Sequence, residues 1–472
     1  MFKSFFDAKE FVKNNNIRMV DLKFADLWGK WHHVTLSATE FEEDLMVSGV
    51  GFDGSSVGLK SVKSGDMALI PDLSTGFIDP FYDVPTISFI CNTVEADTKS
   101  DFLRDPRQIA KRAEKYLIET GIASESIWGP ELEFYVFSSA LFENSTNVTS
   151  SSFESTEAIW NNPSGGEGNY IPQHGGYHAI PPKDKTFALR NEFVMALESV
   201  HVPVKYHHHE VGGPGQCEIE TPLQGLVKSA DSSLMIKYIT KMIAARDGQT
   251  VTFLPKPLFN EAGSGMHFHQ LLMLNGKNIF YDGSNKYLLS ETAYYYIGGL
   301  LKHAPAIMAF TNPSTNSYKR LIPGYEAPVN CFFSSGNRSA AIRIPKYATQ
   351  PEKVRLEFRP PDATCNPYLA MAAMLLAGID GIQNKIDPTR EGFGPIDENI
   401  FSWSEEKRAT IKSLPTNLAE SAKALAIDSE FLTRHQVFDE DMIKEWLVSR
   451  LAEEADIRSR PHPYELEKYF DI

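Results

Sequence analysis

The sequence predicts an α+β chain of two unequal units, a small β-rich one followed by a larger one in which strands and helices intermix. Three observations carry this. At 472 residues the chain exceeds one simple core. Residues 17–36 alternate apolar and polar positions about a Leu27-Trp28-Gly29 turn, the pattern of a β-hairpin. Asp105-Pro106 then reads as a helix start, with Asp as N-cap, Pro at the first helical position and Gly121 just past the expected end. The boundary is set at 1–103 and 104–472.

Strand-like runs near 66–70 and 86–91 complete the small unit, separated by Pro-, Gly- and Asp-rich loops. In the larger unit, residues 140–170 are rich in Ser, Asn, Thr and Gly and predict a surface insertion or long loop. Residues 366–387 form a strongly apolar helix, and the stretch after about 400 is helical and charged. No internal repeat of useful length occurs.

A formal net charge of -15 argues against nucleic acid or an anionic membrane as partner, because such surfaces reward Lys and Arg. Cys91, Cys217, Cys331 and Cys365 lie far apart with no CxxC pair, so neither a disulfide framework nor a zinc knuckle is expected. No run approaches the ~18 apolar residues of a membrane span. The first ten residues break their apolar positions with charges before a signal-type apolar region forms. The expectation is a cytoplasmic protein.

The chemistry sits on short strands whose polar residues fall at alternate positions and so share a face. Glu131 and Glu133 share one face, with Leu132, Phe134 and Val136 on the other. His267 and His269 form a second such pair, and Arg355, Glu357 and Arg359 a third set. Glu210 and Glu218 flank a Gly-rich turn. Alone, a strand with charge on one face is an ordinary solvated face. Four such strands in one sheet would crowd like charges unless cations and anions bind between them.

Glutamate oxygens with at most one His suit Mg²⁺ or Mn²⁺ better than zinc. His207-His208-His209 cannot all ligate one ion, since consecutive strand residues alternate faces. No P-loop, no HRD and DFG pair and no HExxH helix is present. ATP would then be held by metals and by separate arginines, with Arg338, Arg343, Arg355 and Arg359 as candidates.

Longer motifs carry a family resemblance. Phe52-Asp-Gly-Ser-Ser56, the stretch 256–269 (KPLFNEAGSGMHFH), the stretch 312–328 (NPSTNSYKRLIPGYEAP) and 337–345 (NRSAAIRIP) follow one another in order. Over nearly its whole length the chain resembles the glutamine synthetase family, in its bacterial type I class. The resemblance implies a small β-grasp N-terminal domain and a larger α/β catalytic domain with an antiparallel sheet lining the active site. It implies Glu133, Glu210 and Glu218 around one divalent metal, and Glu131, His267 and Glu357 around a second. It also implies Gly263, Arg320, Glu326, Arg338 and Arg359 for glutamate and the transferring phosphoryl group. His269, Arg343, Arg355 and, at a slightly different spacing, Lys353 fall to the nucleotide. Asp53 matches an aspartate that a neighbouring subunit contributes to the ammonium site. The partners implied are glutamate, ammonium, ATP and further copies of the chain, in a dodecamer of two hexameric rings.

Three departures stand out. Ala262 replaces an Asn beside the glutamate backbone, and Leu271 a Ser near the nucleotide. Phe401 stands where certain type I enzymes carry the tyrosine they adenylylate, so that modification is expected to be absent. Three other readings stand against ammonia ligation, and one of them, a zinc-dependent hydrolase built on His207–His209, finds no support in helical spacing. Joining a larger amine to glutamate would need the corner formed by Asp53 and Glu326 reshaped. A non-catalytic homologue would have lost metal ligands, and all six are present.

Overall fold

The alternation in residues 17–36 does make a hairpin. β1 (Met19–Ala25) pairs antiparallel with β2 (Trp31–Ser37) in the computed structural model, which describes residues 2–472 apart from 62–63, 162–167, 324–326 and 399. With β3 (Val50–Asp53), β4 (Asp66–Pro71), β5 (Phe77–Ile78) and β6 (Thr86–Glu95) the hairpin forms one sheet in the order β2-β1-β6-β4-β3, with β5 on β6. The β1–β6 pair is parallel.

Strand parity decides what β1 does. Val20, Leu22 and Phe24 face a core of their own with Phe41 and Phe89. The intervening Asp21 and Lys23 are also buried, and form an ion pair at 2.6 Å. Lys23 reaches Asp79 at 3.3 Å, and the Tyr238 hydroxyl of the helix Leu226–Arg246 donates to Asp79 at 2.9 Å. This polar seam joins the small sheet to the larger unit, with the Lys23 ammonium set between the two carboxylates.

The β1–β2 turn makes the second junction. Gly29 has φ +75, and a Cβ there would lie 2.9 Å from the Cα of Asn366. Beside it the Trp28 ring packs 5.0 Å from Trp446 and lies 3.5 Å from the Arg450 guanidinium, both on the helix Glu440–Arg458.

As the sequence predicts, Asp105 caps the helix Pro106–Glu119, accepting from Arg107 N, and Gly121 takes a positive φ. β7 (Glu125–Phe137) follows. Residues 139–154 pair with themselves as β8 (Ser139–Asn144) and β9 (Thr149–Glu154), an exposed hairpin that fits the expected surface insertion and not a long loop. Polar composition marked the exposure correctly but hid the pairing.

The remaining strands are β10 (Tyr206–His209), β11 (Gln216–Glu220), β12 (Gln224–Gly225), β13 (Thr250–Thr252), β14 (Met266–Leu274), β15 (Lys277–Asn278), β16 (Asn330–Ser334), β17 (Ala340–Arg343) and β18 (Leu356–Phe358). They make a ten-stranded sheet with the path β10-β11-β7-β14-β18-β17-β16, antiparallel except between β16 and β17. Among the described residues no helix is long and apolar enough to cross a membrane.

Behind the sheet the helices Glu291–Thr311 and Pro367–Gln383 cross where glycines face each other. A Cβ on Gly299 would lie 2.1 Å from the Ala377 carbonyl, and one on Gly381 2.2 Å from that of Tyr295. Only glycine permits so close an approach of two helix backbones.

His303 bolts this pair to the C-terminal helices. Its Nε2 lies 2.9 Å from Asp380 and its Nδ1 2.7 Å from Asp428, with Phe431 stacked on the ring. Arg434 (2.6 Å) and Lys302 (3.9 Å) also face Asp380. Burial disfavours the imidazolium, but the two carboxylates outweigh it and raise the His303 pKa. The Asp380 pKa is lowered, burial being outweighed by His303 and Arg434. A raised His contributes stability that is complete below its unfolded value, about 6.5, and lost as pH rises through the folded one; a lowered Asp loses its contribution as pH falls. We expect His303→Gln to cost about 2 kcal/mol near pH 6, where charged hydrogen bonds are lost. The difference from wild type should narrow by pH 9, which thermal unfolding at the two pH values checks.

Candidate active site

Sheet register assembles the site. In β11 Glu218 lies opposite Glu133 of β7 and opposite His208 of β10. On the other side of β7, Glu131 lies opposite His267 of β14. His269 then faces Glu357 of β18, which faces Arg343 of β17. One band of carboxylates, imidazoles and a guanidinium therefore crosses six strands.

Two clusters result. In the first, one oxygen or nitrogen from each of Glu131, His267 and Glu357 lie within 4.8 Å of one another, all three residues buried. His267 Nδ1 is 3.2 Å from Glu131 and 3.8 Å from Glu357. In the second, His208, Glu210 and Glu218 meet the same distance. Glu133, predicted as the third member there, stands beside Glu218. One of its oxygens accepts from Gly265 N at 2.7 Å, and the other lies 3.9 Å from His267 Nε2.

The electrostatics of the two clusters differ. Burial pushes the Glu218 pKa well up, and Glu131, Glu133 and Glu210 add to it. Glu210 is raised to about 7 by burial and Glu133. Glu357 goes the other way: burial raises it, but Arg359 and Arg343 hold it down at about 2. Glu131 is likewise lowered against its burial by His269 and His267. Crowded buried carboxylates that resist ionisation suit a divalent cation, whose charge removes that resistance. The donor set, oxygen with at most one imidazole per cluster, suits Mg²⁺ or Mn²⁺.

The arginines line one flank. Arg343 Nε and Arg359 Nη1 each donate to Glu357 at 2.6 Å. Arg355 lies 5.4 Å from the Tyr347 ring and donates to its hydroxyl at 3.3 Å. The Nε atoms of Arg355 and Arg359 and the Nδ1 of His269 are buried without a partner. Buried donors are normally satisfied, so the two guanidinium Nε groups point to oxygens of an anionic ligand. His269 Nε2 donates to Glu131 at 2.7 Å, which leaves Nδ1 of the neutral ring an acceptor.

The other predicted residues fall as follows. Arg320 is buried and donates to the carbonyls of Pro360 (2.8 Å), Pro361 and Arg359 and to His267 Nε2 (3.3 Å), so it braces the ring of His267. Gly263 admits it, since a Cβ there would lie 2.7 Å from Arg320 Cγ. Ala262 accepts from the Tyr135 hydroxyl through its carbonyl, and Leu271 is buried in β14. Arg338 is exposed and bonds the Tyr177 hydroxyl. Lys353 is exposed and meets Arg355 only through its carbonyl. Asp53 is exposed, its bonds all to Ser55 and Ser56 in its own turn. Glu326 lies outside the described residues, as does the side chain of Phe401.

Sequence reasoning missed His208, Glu220 and Tyr177. The expectation that three consecutive histidines cannot share one ion holds: His207 bonds Arg190 and Asn191, His209 bonds Glu157, and His208 alone joins Glu210 and Glu218. Glu220, buried opposite Glu131, forms a further group with Glu131 and His269. Its alternation with Glu218 was the signal available. Tyr177 had none, being on an irregular segment.

Comparison with known proteins places this geometry. Residues 103–469 match the family model described as glutamine synthetase, catalytic domain, and residues 16–96 match glutamine synthetase, beta-Grasp domain. The chain belongs to the glutamine synthetase family. It is 46% identical over 471 residues to a glutamine synthetase of Nostoc sp. (strain PCC 7120 / SAG 25.82 / UTEX 2576), covering 98% of each chain. It is 46% identical over 467 residues to that of Aquifex aeolicus (strain VF5), covering 99% of this chain and 98% of the other. Among solved structures, the cryoEM glutamine synthetase of Plasmodium falciparum superposes with a TM-score of 0.89 at 28% identity, over 99% of both chains. A structure of GmaS bound to ADP superposes with a TM-score of 0.81 at 25% identity, over 98% of this chain and 99% of that one. Glutamine synthetases are ligases that use ATP and divalent metals, and residues 103–469 of this chain match their catalytic domain.

Proposed function

We propose that the band across the sheet is the active site of a glutamate–ammonia ligase, with two divalent cations, Mg²⁺ or Mn²⁺, per site. Glutamine formation driven by ATP is the activity of the family to which the chain belongs. Glu131, His267 and Glu357 would hold one cation; Glu210 and Glu218, with Glu133 beside them, the other. When bound, the cations supply positive charge against which two anions can meet. The observation that carries the reading is the band of paired residues from His208 to Arg343, which steps by two residues on β7, from Glu133 to Glu131, and again on β14, from His267 to His269.

The chain's own groups then have separate tasks. Arg343 and Arg355 bind nucleotide phosphates, with His269 and Lys353 beside the nucleotide. Arg320, Arg338 and Arg359, with Gly263, frame glutamate and the transferring phosphoryl group. The γ-carboxylate attacks the terminal phosphoryl of ATP, the bond to ADP breaks, and γ-glutamyl phosphate forms. Ammonia then attacks the acyl carbon and phosphate leaves. Ammonium lacks a lone pair, so a carboxylate must take a proton first; Asp53 of a neighbouring copy and Glu326 are the acceptors. The family resemblance supports an oligomer, a dodecamer of two hexameric rings with sites between subunits, in which Asp53 would serve the site of a neighbouring copy. We place the domain division at 103/104 and the enzyme in the cytoplasm, in nitrogen assimilation.

Phosphate release from ATP with Mg²⁺ and glutamate, measured with ammonium and then with a panel of primary amines, tests the reading. Release that requires ammonium and matches glutamine one for one is expected. Release with a larger amine alone would move the enzyme to γ-glutamyl-amine ligation, and no release with any amine would overturn ligation itself.

A further inference from the structure

Glu210 differs from the other carboxylates of the row, because it follows the last residue of β10 and no ladder holds its carbonyl. Its backbone is fixed by other means. Its N–H donates to the Gln216 carbonyl at 2.8 Å, and its carbonyl accepts from His209 Nδ1 at 2.7 Å. The far nitrogen of the same ring, Nε2, meets Glu157 Oε2 at 3.1 Å. His209 and Glu157 are both 0% exposed, so neither side chain has water as an alternative partner.

Glu157 is itself held from outside the sheet. Its Oε1 accepts from the N–H groups of Lys185 and Thr186, the latter at 3.1 Å. The chain around Gly176 closes over the same place: Gly176 N donates to the Val211 carbonyl at 3.1 Å and His178 N to the His209 carbonyl at 3.0 Å. A Cβ on Gly176 would lie 2.3 Å from the Glu210 carbonyl oxygen and 2.5 Å from His209 Cε1. The segment can pack there only as glycine.

We infer that Glu157 and His209 are positioning residues that set the Glu210 carboxylate for cation binding, through the ring of His209 and the carbonyl of Glu210. The inference rests on the reading of Glu210 as a cation ligand. A carbonyl can only accept, so Nδ1 carries the hydrogen of that bond. The Glu157 carboxylate fixes the tilt of the ring from its other edge, as carboxylates orient histidines around metal centres. Here the histidine is not the ligand; it grips the main chain of the residue that is. The two faces of β10 thereby divide the work, His208 toward the cluster and His209 behind it.

Binding of Mn²⁺ alone to the full-length protein, read by the electron paramagnetic resonance of free Mn²⁺, tests this without turnover. Glu157→Gln keeps the volume of the buried side chain and should weaken one Mn²⁺ site by about 10-fold, the lower end of what outer-shell changes do. His209→Leu removes both bonds and should weaken the same site by about 100-fold. His209→Asn, whose amide can still reach the Glu210 carbonyl, should recover part of the loss. Glu210→Gln serves as reference and should remove that site while leaving the other. Wild-type binding by both Glu157→Gln and His209→Leu, with the site lost in Glu210→Gln, would overturn the positioning role and leave the ligand assignment standing. Wild-type binding by Glu210→Gln would overturn the assignment itself. If His209→Leu does not fold, Glu157→Gln decides.

Discussion

Glu357→Ala is expected to lower turnover by about 1,000-fold, the scale seen when a preorganised charged contact is removed from a reaction centre. Glu357 is fully buried and faces three other groups of the site, His267, Arg343 and Arg359. Its loss takes one donor from the cation cluster. It also leaves the buried Arg359 guanidinium without its counter-charge, which costs about 3 kcal/mol or more in comparable buried pairs, and takes the partner of the half-buried Arg343. The two losses are separable. Glu357→Gln keeps the shape and an acceptor oxygen, so it should retain more stability than the alanine variant while turnover stays low. Steady-state rates beside thermal unfolding make the comparison. Turnover in Glu357→Ala within a few-fold of wild type would remove Glu357 from the site.

Asp53→Ala should lower kcat/KM for ammonium by about 100-fold, the lower range for a lost proton acceptor, and leave the KM for ATP nearly unchanged. Hydrogen bonds from Ser56 and Ser55 hold the Asp53 carboxyl below the usual range, so it is an anion at neutral pH. The same bonds shape the turn at 54–57, so alanine alters the loop as well as the charge. Asp53→Asn separates the effects, since it can still accept from Ser55 N but carries no charge. Both variants should show the ammonium defect. An ammonium dependence unchanged in both would refute the role given to Asp53.

What could be read from the sequence was local. Parity along a strand placed Glu131 with Glu133 and His267 with His269, because side-chain alternation needs no knowledge of the partner strand. A cap announced the helix at Asp105-Pro106 through a single side chain, and an apolar run announced the one over 366–387. Register is a different kind of information. Nothing near Glu131 says that His267 will lie across from it, 136 positions on. For that reason the family motifs, and not spacing, divided the ligands between two cations. His208 shows the cost: alternation ruled out three histidines on one ion, but only the pairing with Glu218 shows which of them counts. Glu157 and Tyr177 are reached through irregular chain, where no periodicity exists to be read. The parallel β1–β6 pair escaped notice for a related reason, since each strand by itself looks the same in either direction.

The junction between the small sheet and the C-terminal helix bears on how the protein is made. Arg104 bonds Asp439, 335 residues later, and Trp28 rests on Trp446 and Arg450 from the same stretch. A ribosome adding 5–20 residues per second needs about 20–70 s to cover that interval. Throughout it the β1–β2 turn is finished while the surface it docks on does not yet exist. The small sheet must persist on the core around Phe41 and Phe89, with Trp28 open to any passing chaperone or neighbouring nascent chain. Docking is then set by the helix Glu440–Arg458, made long after the sheet is complete, and a chain released before residue 440 would keep an assembled sheet without the Trp446 and Arg450 contacts.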